Sequence, residues 1–293
     1  NLIFCMFRSI AARCSLARSP ILSYGYAENQ NVYRPYMEDR CLAIPCLSSY
    51  LGNEKIPKHV PLFAVFDGHG GSVTSSYAQE HLPKLMGKYI ASKYEEAGDC
   101  GINMHECLEL SLEETNNQIH KLEKPGIDGS TAVICTVYNN SIWSANLGDS
   151  RAMLFRNSSS FPLTEDHTPE EPSEKQRIES LGGKVECVKG DTPRIYWAGG
   201  HKVGDGGLNL SRALGDEFYQ KDGVHLVSSI PDIRETPIIK ESDDFVVLVS
   251  DGFLEWKESE DIMQIADKLL QLNEFSTKDV CDHLLRFALS KST

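Results

Sequence analysis

Residues 129–155 read GSTAVICTVYNNSIWSANLGDSRAMLF. Three short runs rich in apolar and β-branched residues lie within them, Thr131 to Tyr138, Ser141 to Asn146 and Arg151 to Phe155. Such runs suit strands, and runs apolar on both faces suit strands covered on both sides. Asn139-Asn140 separates the first from the second, and Gly148-Asp149-Ser150 the second from the third. Asparagine and glycine tolerate positive φ, so both breaks suit tight hairpin turns. The region is therefore predicted to be an antiparallel meander inside a sandwich.

Helical periodicity lies on either side of this core. From Ser72 to Glu96, Ala78, Leu82, Leu85 and Tyr89 fall at helical spacing, with Pro83 expected to bend or break the segment. A second pattern runs through Met104, Leu108, Leu112, Ile119 and Leu122, and the two helices are predicted to cover a sheet. Glu174 to Leu181 reads as a short helix stopped by Gly182-Gly183, and glycine-rich Asp191 to Gly207 as a long functional loop or flap. Phe245 to Val249 is a buried strand ending at Ser250-Asp251-Gly252. Helices follow from about Ser259 to Leu272 and from Ser276 to Leu289, the last opened by a Ser276-x-x-Asp279 capping box.

No repeat, low-complexity tract or linker divides the 293 residues, and a chain that is 41% hydrophobic can offset its ordering entropy in one large domain. The formal charge of −13 and a pI near 5.2 argue against nucleic acid or an anionic bilayer as a partner. Nine cysteines without a Cys-x-x-Cys pair indicate neither a disulfide framework nor a zinc knuckle, so reduced thiols and an intracellular setting, cytoplasmic or nuclear, are expected. No stretch has the length of a membrane span: Arg8 interrupts the first apolar run, and Arg13, Arg18 and Pro20 the next. Residues 1–22 hold arginines and serines but no acid, and are expected to be an N-terminal extension, either a helix packed on the domain or an organelle-targeting segment. The domain itself is assigned to residues 23–293.

Three acidic clusters sit at the ends of predicted strands. They are Glu38-Asp39 in RPYMEDR (34–40), Asp67 in FAVFDGHGG (63–71) and Asp251 in VLVSDG (247–252). Carboxylates at the mouths of adjacent strands can point at one spot, where mutual repulsion would raise their pKa values. A hard dication removes that conflict, and oxygen-only ligation selects magnesium or manganese over zinc. Each piece alone has a plainer reading: Asp-Gly after an apolar run as a turn, Met-Glu-Asp-Arg as an exposed strand end, Gly148-Asp149-Ser150 as a hairpin, His69 as a loop histidine. Their joint occurrence is what points to a metal site.

The chain resembles the metal-dependent protein phosphatases, the type 2C serine/threonine phosphatases. The match runs in order through residues 34–40, 67–71, 129–132, ANLGDSR (145–151), LTEDH (163–167), LSRALGD (210–216), PDI (231–233) and SDG (250–252). The resemblance implies an α+β fold, a four-layer α/β/β/α sandwich of two antiparallel sheets flanked by helices, with a two-metal site in the cleft between the sheets. It implies that Asp67 bridges two Mg2+ or Mn2+ ions, that the Gly68 carbonyl binds one and Asp251 the other, and that Glu38 and Asp39 bind through or orient metal-bound waters. A third, weaker cation would fall to Asp149 and Glu255, the latter usually aspartate in the family. Arg34 would orient the phosphate with its planar fork, and His69 would protonate the departing alkoxide. The implied enzyme is a monomeric phosphoprotein phosphatase that hydrolyses phosphoserine and phosphothreonine by a metal-activated water, without a covalent intermediate.

Cysteine-based catalysis needs Cys-x5-Arg, and Cys281 to Arg286 is one residue too short while Cys187 to Arg194 is one too long. Neither a phosphate-binding Gly-x4-Gly-Lys loop nor a Gly-x-Ser-x-Gly elbow is present. The runner-up is a pseudophosphatase that keeps the fold and serves as a binding or regulatory partner. The family's last ligand is an aspartate in an Asp-Asn pair after the final helix, leading into a closing strand, whereas the sequence stops at Ser290-Lys-Ser-Thr293. The domain as given is thus expected to lack its final strand, the native chain continuing through the pair.

Overall fold

The computed structural model describes residues 2–9, 21–30, 35–98, 101–122, 128–187, 192–198, 207–239, 242–254, 258–272 and 275–290. Ten strands form its two main sheets: β1 (Leu2–Ser9), β2 (Ile21–Asn29), β3 (Arg40–Ile44), β4 (Leu62–Phe66), β5 (Ala132–Tyr138), β6 (Ser141–Leu147), β7 (Arg151–Arg156), β8 (Ser159–Pro162), β9 (Asp232–Pro237) and β10 (Asp243–Val249). One sheet has the order β8-β7-β10-β1-β2, the other β9-β6-β5-β4-β3, and every pairing is antiparallel. Helices α1 (Val73–Ala97) and α2 (Met104–Ile119) cover the second sheet; α3 (Pro172–Ser180) stands apart beside a Gly183–Cys187/Pro193–Trp197 hairpin; α4 (Ser259–Gln271) and α5 (Thr277–Leu289) cover the first sheet. This is the expected α/β/β/α sandwich.

Period-two alternation sorts the strand residues into three apolar layers. Phe63 and Val65 of β4 face inward with Phe7, Val133, Leu154 and Leu248, and the Phe7 and Phe63 rings stack at 4.3 Å. Leu62, Ala64 and Phe66 face outward onto Ala78, Leu82 and Met86 of α1 and Leu108 and Leu112 of α2. On the far side Phe4, Phe155 and Val247 meet Ile262 and Met263 of α4 and Val280 and Leu284 of α5. Each large side chain so buried contributes about 1.5–3 kcal/mol. Among the described residues no helix is long and apolar enough to cross a membrane.

Four sequence expectations change. Asn139 and Asn140, at φ 50° and 62°, do close the β5–β6 hairpin, but Gly148-Asp149-Ser150 is no hairpin. There the chain crosses from one sheet to the other: β7 pairs with β10 and β8, and its own hairpin turns at Asn157-Ser158, φ 50° and 61°. A Gly-Asp-Ser break fits a turn or a crossing equally well, and the burial of both faces of β7 decides between them.

In place of an N-terminal helix, Leu2–Ser9 is a strand between β10 and β2. Leu2, Phe4 and Met6 pack outward and Ile3, Cys5 and Phe7 inward. A helix would hold only one stripe of these against the domain, whereas a central strand buries both faces. Residues 10–20 lie outside the described residues, as do Asp191 and 199–206 of the expected flap, and Pro193–Trp197 within it is a strand rather than a loop, paired with Gly183–Cys187. Finally, α1 runs unbroken through Pro83, because Leu82 before it and Met86 and Ile90 after it share one buried face.

Candidate active site

The acidic residues sit where strands of both sheets end. Asp67 follows β4, and its position is fixed by one threonine. Asp67 N–H donates to Thr131 Oγ1 at 3.0 Å, Thr131 N–H donates to the Asp67 carbonyl at 2.9 Å, and Thr131 Oγ1 shares a 2.8 Å hydrogen bond with Ser150 Oγ. Thr131 thereby ties the end of β4 to the sheet crossing that bears Asp149. Asp251 opens the single turn Asp251–Leu254 after β10. Glu38 and Asp39, both buried, immediately precede β3. The Glu38 carbonyl accepts a hydrogen bond from Ser75 Oγ in the first turn of α1 and lies where a Cβ on Gly68 would be, so only glycine fits there.

The electrostatics report convergence. Burial, then the charges of Asp251 and Asp39, hold the Asp67 carboxyl well above the usual range. Burial, then Asp251 and Asp166, push Asp149 up to about 8. Asp39, Asp149 and Asp251 are thus all within electrostatic reach of Asp67, and Asp149 of Asp251, while Arg34 and Glu255 lie outside the described residues.

Among the described residues no group of three or more His, Cys, Asp or Glu side chains is placed to hold a metal ion. The donor set nevertheless fits a hard dication. It offers oxygen only, and its carboxylates repel one another at a desolvated spot, a conflict that added positive charge relieves.

His69 stands beside this cluster. Its Nε2 donates to both oxygens of Asp216, at 2.9 and 3.0 Å. Burial alone would lower the imidazole pKa, but the Asp216 charge and hydrogen bond, with Asp149 and Asp128 behind them, raise it. Asp216, Thr131, Ser150 and Ser250 lie within the sequence motifs, where the residues alone assign them no role. Their signal was present, but nothing in the sequence joined residues 147 positions apart, as His69 and Asp216 are.

Comparison with known proteins bears on the family and the fold. The family model described as protein phosphatase 2C matches residues 23–293. A probable protein phosphatase 2C 5 of Paramecium tetraurelia is 30% identical over 256 residues, covering 84% of this chain and 81% of the relative. A probable protein phosphatase 2C 24 of Arabidopsis thaliana is 33% identical over 249 residues, covering 81% and 63%. Among solved structures, a Caenorhabditis elegans sex-determining protein superposes with a TM-score of 0.71 at 29% identity over 88% of this chain, which spans 58% of that protein's length. The serine-threonine phosphatase 2C of Toxoplasma gondii gives 0.70 at 20% identity, covering 99% of this chain and 90% of the other, a likeness of fold.

Proposed function

The chain belongs to the protein phosphatase 2C family of metal-dependent protein phosphatases, and from that premise we propose that it is an active enzyme hydrolysing phosphoserine and phosphothreonine esters of proteins, with two Mg2+ or Mn2+ ions. The observation that supports this reading is the desolvated meeting of Asp67 with Asp251, Asp39 and Asp149. Asp67, the Gly68 carbonyl and Asp251 would hold the cations, with Glu38 and Asp39 orienting water around them and Asp149 and Glu255 available to a third. When bound, such cations supply Lewis-acid charge that makes water nucleophilic near neutral pH.

The chain's own groups do the rest. Asp39, buried beside Asp67, restricts the orientations of attacking water. His69 protonates the leaving seryl or threonyl oxygen, a contribution of about 10²–10⁴-fold. Arg34 grips phosphate oxygens through its two-donor fork. An intracellular setting belongs to the same reading, supported by the free thiols of Cys5, Cys41, Cys46, Cys107, Cys135, Cys187 and Cys281.

The test is turnover of a phosphothreonine peptide across a manganese and magnesium titration. Activity that rises with metal and disappears in chelator is expected. Rates unaffected by chelator, or no turnover at any metal concentration, would defeat the proposal.

A further inference from the structure

Asp216 lies at the end of a small sheet that brings His69, Gly129 and Gly215 side by side. Gly68–His69, Gly129–Ser130 and Leu214–Gly215 form its three strands, with His69 opposite Gly129 and Gly129 opposite Gly215. Asp216 follows directly and is turned back by a left-handed backbone, φ 52° and ψ 43°, with its N–H on the Asp128 carbonyl at 3.2 Å. Gly215 is fixed in turn by Asn116, whose Oδ1 accepts its N–H at 2.9 Å. The Asp216 carboxylate is 2% exposed.

Gly129 completes the arrangement. A Cβ there would fall on both Asp216 Oδ2 and His69 Nε2, so the contact exists because residue 129 has no side chain. Both carboxylate oxygens engage the same ring nitrogen, 2.9 and 3.0 Å away. A carboxylate can only accept, so Nε2 carries a hydrogen. Nδ1 has no hydrogen-bond partner among the described residues.

We infer that Asp216 is a positioning residue for proton delivery: it holds the His69 ring by Nε2 so that Nδ1 is the nitrogen serving the substrate's leaving oxygen. As the oxygen of water bonds to phosphorus, releasing its proton to solvent, the ester bond breaks and its electron pair goes to the seryl or threonyl oxygen, which takes the proton from Nδ1. The neutral ring that remains keeps its hydrogen on Nε2, bonded to Asp216. This inference rests on the reading of His69 as the proton donor.

Leaving-group dependence separates positioning from mere structure. An alkoxide needs a proton as it departs, whereas 4-nitrophenolate leaves readily without one. Wild type, Asp216→Asn, His69→Gln and the double variant are compared on a phosphothreonine peptide and on 4-nitrophenyl phosphate, with saturating manganese. Both single variants are expected to lose about 10²-fold or more in kcat on the peptide and less than about 3-fold on the aryl ester. The double variant is expected to be no slower than His69→Gln. If His69→Gln discriminates between the substrates and Asp216→Asn slows both equally, or neither, the positioning role is wrong. If His69→Gln itself fails to discriminate, the proton-donor reading falls, and this inference with it. Nitrogen-15 NMR of histidine-labelled wild type adds a readout that needs no variant to fold: the neutral His69 ring should carry its hydrogen on Nε2, and a hydrogen on Nδ1 overturns the proposal.

Discussion

Ser250 and Ile3, 247 residues apart, exchange two hydrogen bonds: Ile3 N–H donates to Ser250 Oγ at 3.2 Å, and Ser250 N–H donates to the Ile3 carbonyl at 3.3 Å. The pair joins the start of β1 to the end of β10, one residue before Asp251. Ser250 is fully buried, so Ser250→Ala strands the Ile3 N–H away from water, at a cost of about 1–3 kcal/mol. The variant should melt several degrees lower, and its manganese requirement should rise as Asp251 loses its anchor. Unchanged melting with an unchanged metal requirement would show that β1 does not buttress the site.

The carboxylate cluster makes stability depend on pH in a direction opposite to that of most acids. Asp67 and Asp149 have folded-state pKa values raised above the ordinary one, Asp149 to about 8. The folded chain therefore binds their protons more tightly than the unfolded chain does. That stability is fully present below about pH 4 and is lost as pH rises through the folded values. Melting in chelator should show these two groups costing stability from about pH 4 to about pH 8, and manganese should restore it, by about 2.7 kcal/mol at 100 times the Kd. Asp67→Asn should melt at or above wild type in chelator near pH 8, yet gain little from manganese and lose activity. A lower melting temperature in chelator would mean that the Asp67 charge is compensated within the folded chain.

Glu174 behaves in the opposite sense. It is 3% exposed; its Oε1 accepts from Arg212 at 2.8 and 3.1 Å and its Oε2 from Arg177 at 2.9 Å. Burial pushes its pKa up, but the hydrogen bonds from Arg212 and Arg177 prevail and lower it to about 2. A depressed carboxyl contributes stability above its unfolded value of 4.5, lost as pH falls toward about 2. Glu174→Gln should cost about 3 kcal/mol near neutrality, with the gap from wild type closing in acid. Urea midpoints at about pH 7 and pH 3 check this, and a gap independent of pH would contradict the ion-pair account.

The sequence made the helices over both sheets legible because their apolar residues recur every three or four positions, and it made the acidic strand ends legible because Asp-Gly follows uninterrupted apolar runs. It could not reveal β1, because LIFCMF alternates between two buried faces and so shows neither a helical stripe nor a polar face. It could not distinguish a hairpin from a sheet crossing at Gly148, since both require the same small residues. Nor could it pair His69 with Asp216, whose meeting depends on a three-stranded ribbon assembled from three distant segments.

The crossing at Gly148 supplies a contrast between two glycines. Gly52, at φ 62°, ends the short helix Leu47–Leu51 and has nothing within 4 Å of an added Cβ. Gly52→Ala should therefore cost only backbone strain, about 1 kcal/mol. Gly148, at φ 102°, would place a Cβ 2.6 Å from Thr131 Cγ2 and 2.9 Å from Thr131 Cβ. Its backbone cannot easily yield: Gly148 N–H donates to His167 Nδ1 at 3.2 Å, and its carbonyl accepts from His167 N–H at 2.9 Å and from Asn146 Nδ2 at 3.0 Å. Thr131 must move instead, and Thr131 is what links the Asp67 backbone to Ser150. Gly148→Ala should cost about 3 kcal/mol and also raise the manganese concentration needed for half-maximal activity, an effect absent from Gly52→Ala. Thermal melts and metal titrations of the two variants side by side decide the matter: equal losses in both, with no change in metal requirement, would mean that the Thr131 link does not set the spacing between Asp67 and Asp149.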